Sequence, residues 1–169
     1  MPSGNGAAAE GAASQPQLNV LSQYVKDLSF ENPNAPQALT TQQPNPKIEI
    51  GVNVNANPMG QDAFEVELAI TAKAGSGEGE EASTLFAADL TYGGIFRLQN
   101  IPKDQLHPMV LIECPRILFP FARQIIAEAT RNGGFPPLLL DPIDFVALYR
   151  QRAQQVQAAQ AQKAADAPS

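Results

Sequence analysis

Residues 47–71 read KIEIGVNVNANPMGQDAFEVELAIT, and the period of this stretch decides the fold. Ile48, Ile50, Val52 and Val54 fall on one side of an extended chain, with Glu49, Gly51, Asn53 and Asn55 on the other. After NPMGQD, Phe64, Val66, Leu68 and Ile70 repeat the pattern against Glu65, Glu67 and Thr71. Side chains alternate across a strand, so period two means a strand with one apolar face. Pro58 and Gly60 suit a turn, and the two runs are expected to form an antiparallel hairpin.

Two more runs share this period. In STLFAADLTYGGIF (83–96), Phe86, Ala88, Leu90 and Tyr92 alternate with Leu85, Ala87, Asp89 and Thr91. In YVKDLSFE (24–31), Leu28 and Phe30 face away from Asp27, Ser29 and Glu31. The links GSGEGEE (75–81) and NPNAPQALTTQQPNP (32–46) read as a surface turn and an irregular loop. No helical crossover separates the runs, so the four strands should make an antiparallel sheet.

Beyond residue 116 the period changes. Apolar residues at 117, 118, 121, 125, 126 and 129 describe an amphipathic helix, with Pro120 expected to start or kink it. RNGG (131–134) offers a basic last turn and glycines for a left-handed cap. FPPLLL (135–140) reads as an extended, buried connection. In DPID, Asp141 suits an N-cap and Pro142 the first helical position, opening a last helix with a stripe of Phe145, Leu148, Tyr149, Arg152 and Val156. Strands first and helices last give an α+β fold.

Residues 1–16 are small, polar and aperiodic, as in a disordered leader; 17–155 form the expected domain, and 156–169 an Ala/Gln-rich flexible tail. The N-terminus has neither a basic start nor an apolar stretch, and no run approaches the ~20 apolar residues of a membrane span. A single cysteine, Cys114, suits a reducing compartment, so the expectation is a soluble cytoplasmic protein without direct membrane insertion. With 11 Lys and Arg against 17 Asp and Glu, the net charge is −6 and no basic cluster exists. Nucleic-acid binding requires cationic groups that displace counterions, so that class is excluded.

The search for chemistry is largely empty. GSGEGEE lacks the Lys and Ser/Thr of a phosphate loop. One histidine, His107, and one cysteine cannot supply a zinc site. A Cys114–His107 nucleophile pair has no supporting pattern, and a lone cysteine reads better as packing. No enzyme activity and no cofactor are expected. Two features remain: carboxylates (Asp27 and Glu31 on one strand, Asp89 on another) that form one acidic patch if their strands are neighbours, and more apolar surface than one helix can cover. The first is also what a solvated sheet face would show, and the second also fits a subunit interface.

KDLSFENPNAP (26–36), GGIF (93–96), CPRILFPFAR (114–123) and FPPLLLDPIDFVALY (135–149) together resemble the landmarks of SecB, the bacterial protein-export chaperone family, in order over roughly 18–150. The resemblance implies a homotetramer, a dimer of dimers, that holds precursor proteins unfolded without nucleotide and passes them to the SecA ATPase. It implies SecA docking at Asp27, Glu31 and Asp89, with Ala87 where a well-known relative has a contributing leucine. It implies client contacts at Ile48, Ile50, Val52 and Tyr149, while Phe145 and Leu148 could belong to the groove or to the core. A general holdase, or a scaffold whose apolar surface is only subunit interface, is the alternative reading.

Overall fold

The computed structural model describes residues 15–41, 45–77 and 83–167. Most of the leader and residues 78–81 of the GSGEGEE turn lie outside them. Four strands, β1 (Gln17–Glu31), β2 (Lys47–Pro58), β3 (Ala63–Ser76) and β4 (Ser83–Gln99), form one antiparallel sheet in the order β1-β4-β3-β2. The expected hairpin is β2–β3, with Val54 opposite Leu68 and Pro58 opposite Phe64. Gly60, Gln61 and Asp62 take positive φ in its turn. The irregular loop before β2 includes one helical turn, α1 (Gln37–Thr40).

The inner face carries the core. Val66, Leu68, Ile70 and Ala72 of β3, with Ala88, Leu90 and Phe96 of β4, are all nearly inaccessible. They meet α3 (Cys114–Asn132), which buries Leu118, Phe119, Ala122 and Ile126. Full burial of a Leu118-sized side chain contributes about 1.5–3 kcal/mol. The GG of the GGIF landmark serves both faces. A Cβ on Gly94 would stand 2.8 Å from Leu118 Cδ2, whereas one on Gly93 would stand 2.7 Å from the Tyr24 ring on the other side. One glycine lets the helix approach the sheet; the other lets Tyr24 lie flat across β4.

The helical region starts earlier than the period indicates. Helix α2 (Lys103–Pro108) passes through a π-helical segment, Met109–Glu113, into α3. Pro115 has no N–H to give the Leu111 carbonyl, and the Cys114 N–H reaches back to Met109 O, five residues away. The extra residue shifts the apolar phase, which hides the helix from a 3.6-residue search. Pro120 does not start the helix; it lies inside α3 on the exposed side. Phe121, expected on the inward stripe, is 46% exposed and stacks on Tyr92 at 6.2 Å.

At the end of α3, Gly134 takes the left-handed angle (φ 93°) and its N–H bonds Arg131 O. The connection that follows is extended, as expected, but only partly buried: Leu140 is inside and Leu139 outside. Thr130 fixes it, because its buried hydroxyl bonds Ile126 O and accepts from Leu138 N at 2.9 Å. The final helix, α4 (Phe145–Ala165), does not begin at Asp141–Pro142. Buried Leu140 and half-buried Ile143 hold the chain extended past Pro142, and Asp144 provides the cap by accepting from Ala147 N at 3.0 Å. From Arg150 to Ala165 every residue of α4 is exposed.

Candidate functional site

The sheet has two faces of different chemistry. On the outer face Ser29 stands opposite Asp89, Asp27 opposite Thr91 and Glu31 opposite Ala87 across β1–β4. The three expected carboxylates therefore gather around one cross-strand pair, and all three are exposed. Among the described residues, none of them is in an ion pair.

Farther along the same face the carboxylates are neutralised. Lys26 is the extra residue of a bulge between Val25 and Asp27, and its ammonium reaches over β4 to Glu65 (3.1 Å) and Glu67 of β3. The Tyr24 hydroxyl also donates to Glu65. Burial above all, then the bond to Glu65, pushes the Tyr24 phenol up to about 12. The Tyr24 bond first, then Lys26, holds the Glu65 carboxyl below its usual range. One half of the outer face is thus internally paired, and the other keeps free negative charge that a cationic partner would relieve. Sequence reasoning missed this pairing, although alternation alone put Glu65 and Glu67 on the face of Asp89.

On the inner face, α3 covers β3 and β4 but not the flanks. On β2, Ile48 and Ile50 are 42% and 45% exposed. Val52 is half-buried and lines a cleft of about 310 Å³ with Val54, Leu111, Leu148, Tyr149 and Arg152. A larger neighbouring cavity, about 700 Å³, has Phe64, Leu106, Val110, Leu111, Tyr149 and Val156 in its lining. Tyr149 serves both, and its hydroxyl meets His107 Nδ1 at 2.9 Å. The structure thus brings Ile48, Ile50, Val52, Leu148 and Tyr149 to one side of the molecule. Phe145 is apart from them: it is 2% exposed and packs edge-on against Phe119 in the core. Leu111 and Phe64 were missed, Leu111 because it lies in the phase-shifted π segment.

The other flank, on β1, leaves Val20, Val25 and Leu28 exposed, and Phe121 of α3 is exposed as well. Cys114 is fully buried, and burial first, then the Glu113 charge, pushes its thiol up to about 12. The nucleophilic thiolate form is therefore disfavoured at neutral pH. Among the described residues no three His, Cys, Asp or Glu cluster as metal ligands, and no helix is long and apolar enough to cross a membrane.

Open apolar clefts on one face and unpaired carboxylates on the other describe a binding protein, and the known proteins it resembles agree. The family model described as "Preprotein translocase subunit SecB" matches residues 11–156. Proteins named "Protein-export protein SecB" are 57% identical in Rhodopseudomonas palustris (strain TIE-1), covering 93% of this chain and 96% of the relative. They are 58% identical in Afipia carboxidovorans, covering 86% and 88%, and 58% in Bradyrhizobium sp. (strain BTAi1), covering 95% and 96%. A solved SecB-like chaperone of Mycobacterium tuberculosis, bound to an antitoxin peptide, shares the fold with a TM-score of 0.54 at 16% identity, covering 75% of this chain and 91% of that one. The match over most of the chain settles the assignment: this chain belongs to the SecB family and is a chaperone of protein export.

Proposed function

We propose that the chain holds precursor proteins unfolded without ATP, on the apolar flank of β2 and α4, and delivers them to the SecA ATPase through the outer-face carboxylates. The separation of the two surfaces on opposite faces of one sheet carries this reading. A holdase must bind many unrelated chains, so its contacts are apolar and individually weak. Each Val- or Leu-sized side chain covered gains about 1.5–3 kcal/mol before ordering costs. In a cytoplasmic homotetramer, several such flanks would make later contacts intramolecular, raising avidity by about 10²–10⁴-fold. The exposed apolar residues of β1 and Phe121 support subunit burial on that flank, where the scaffold reading is sound; the β2 flank is the one left for clients. The chaperone domain then spans residues 17–155, and the exposed end of α4, residues 156–165, projects from it.

Asp27, Glu31 and Asp89 are the docking residues in this scheme, and Ala87 leaves their contact with less apolar support. Converting the three to Asn, Gln and Asn removes three charges of like sign from one surface. Binding of purified SecA, followed by titration calorimetry at low salt, is expected to weaken at least about tenfold. Affinity for an unfolded precursor should stay within about twofold, because the substitutions lie on the opposite face. Loss of both activities in an intact oligomer would contradict separate surfaces.

A further inference from the structure

Lys26 stands where a regular strand would not put it. It is the extra residue of the β1 bulge between Val25 and Asp27, and its side chain crosses β4 to reach Glu65 at 3.1 Å and Glu67. Between Tyr24 and Glu67 the β4 residue is Gly93, which has no side chain to stand in the way. The Lys26 side chain is 46% exposed, against 21% for Glu65 and 16% for Glu67. The ammonium is therefore the outermost charge of the three, and a cation approaching these two carboxylates meets a like charge first. The bonds to Glu67, then to Glu65, hold the ammonium above its ordinary pKa, so the cover is charged at neutral pH. Asp27 follows directly in the chain, and Glu67 faces Gly93, four residues along β4 from Asp89, a distance of about 14 Å at the rise of a strand. Without Lys26, the displayed carboxylates Glu31, Asp89 and Asp27 would continue through Glu67 to Glu65. Lys73, opposite Ala87 at the other end of this row, is in no ion pair among the described residues.

We propose that Lys26 is a specificity-determining residue of the docking face: its ammonium covers Glu65 and Glu67, ends the displayed acidic row at Asp27, and so limits the cationic segment that the face can match. This deepens the docking reading and rests on it. The ligand is a cationic stretch of the partner ATPase, and the cover decides how many of its charges find a free carboxylate. A segment long enough to pass Asp27 would bring its next cation against Lys26, where like charges repel. A short segment ends before that point and meets only Asp27, Glu31 and Asp89. The paired half of the face thus acts as a boundary, which excludes longer polycationic chains while leaving a compact basic partner its full set of contacts.

Binding of purified SecA and of an oligolysine peptide to the intact protein, followed by titration calorimetry at low and moderate salt, tests the boundary. Lys26→Met, with Lys26→Gln as a second charge-free variant, is expected to bind the oligolysine at least about threefold tighter at low salt, with a steeper loss of affinity as salt rises. Lys26→Arg keeps the cover and should bind as the wild type does. Adding Glu65→Gln and Glu67→Gln decides the cause: in that background Lys26→Met should bring no gain, because no carboxylate is left to uncover. Equal gains in both backgrounds overturn the cover and leave only net charge. Unchanged or weaker oligolysine binding by either charge-free variant overturns it as well. In both cases, SecA binding by the wild type that is lost in the Asp27→Asn, Glu31→Gln, Asp89→Asn variant leaves the docking reading standing. Wild-type protein that does not bind SecA overturns the docking reading and this inference with it.

Discussion

Phe145→Ala is expected to lower the stability of the protein by about 3–5 kcal/mol, the cost of emptying a large aromatic site in a packed core. The side chain is 2% exposed and meets Phe119 edge-on at 6.3 Å. It is the one buried residue of α4, so its loss also frees the helix that carries Leu148, Tyr149 and Arg152. Denaturation midpoints compared at fixed protomer concentration measure the effect, so that any self-association contributes equally to both proteins. Client affinity should fall as well, through displacement of the cleft wall rather than loss of a contact. A variant with unchanged midpoint and weakened client binding would instead make Phe145 a groove residue.

Ile48→Asp combined with Ile50→Asp should abolish client holding and leave the fold intact. Both side chains are more than 40% exposed, so the core loses little. The exposed part of the two side chains, just under half of each, represents about 1–3 kcal/mol of transfer free energy, and burying the new carboxylates adds a desolvation cost. The affinity for an unfolded precursor should drop at least about a hundredfold. SecA binding is the internal control, since Asp27, Glu31 and Asp89 are on the far face. Retained client affinity would move the client site to another surface.

The strands were legible because each carries one apolar face, and period two survives wherever that face is packed. Alternation put Asp27 and Glu31 on one face of their strand and Asp89 on the polar face of another, and the β1–β4 pairing is what brings the three together. Three things were not legible. The helix before Cys114 was hidden by the π segment, which adds a residue and breaks the 3.6-residue phase at Leu111. The start of α4 was misplaced because Asp141–Pro142 and Asp144 offer similar capping chemistry, and only the burial of Leu140 decides between them. The pairing of Lys26 with Glu65 and Glu67 crosses a whole strand, through a bulge and a glycine, which no local pattern reveals. Phe145 and Tyr149 share one stripe in the sequence, yet packing sends the first to the core and leaves the second at the clefts.

Refolding of a denatured precursor, with this protein in excess and no nucleotide present, is the direct measure of holding. Refolding should slow as the chaperone concentration rises, and the Ile48→Asp, Ile50→Asp variant should restore the spontaneous rate. A rate that stays at the spontaneous value with the wild-type protein, across a range of salt, would contradict the idea that its apolar flank is kept open for unfolded chains.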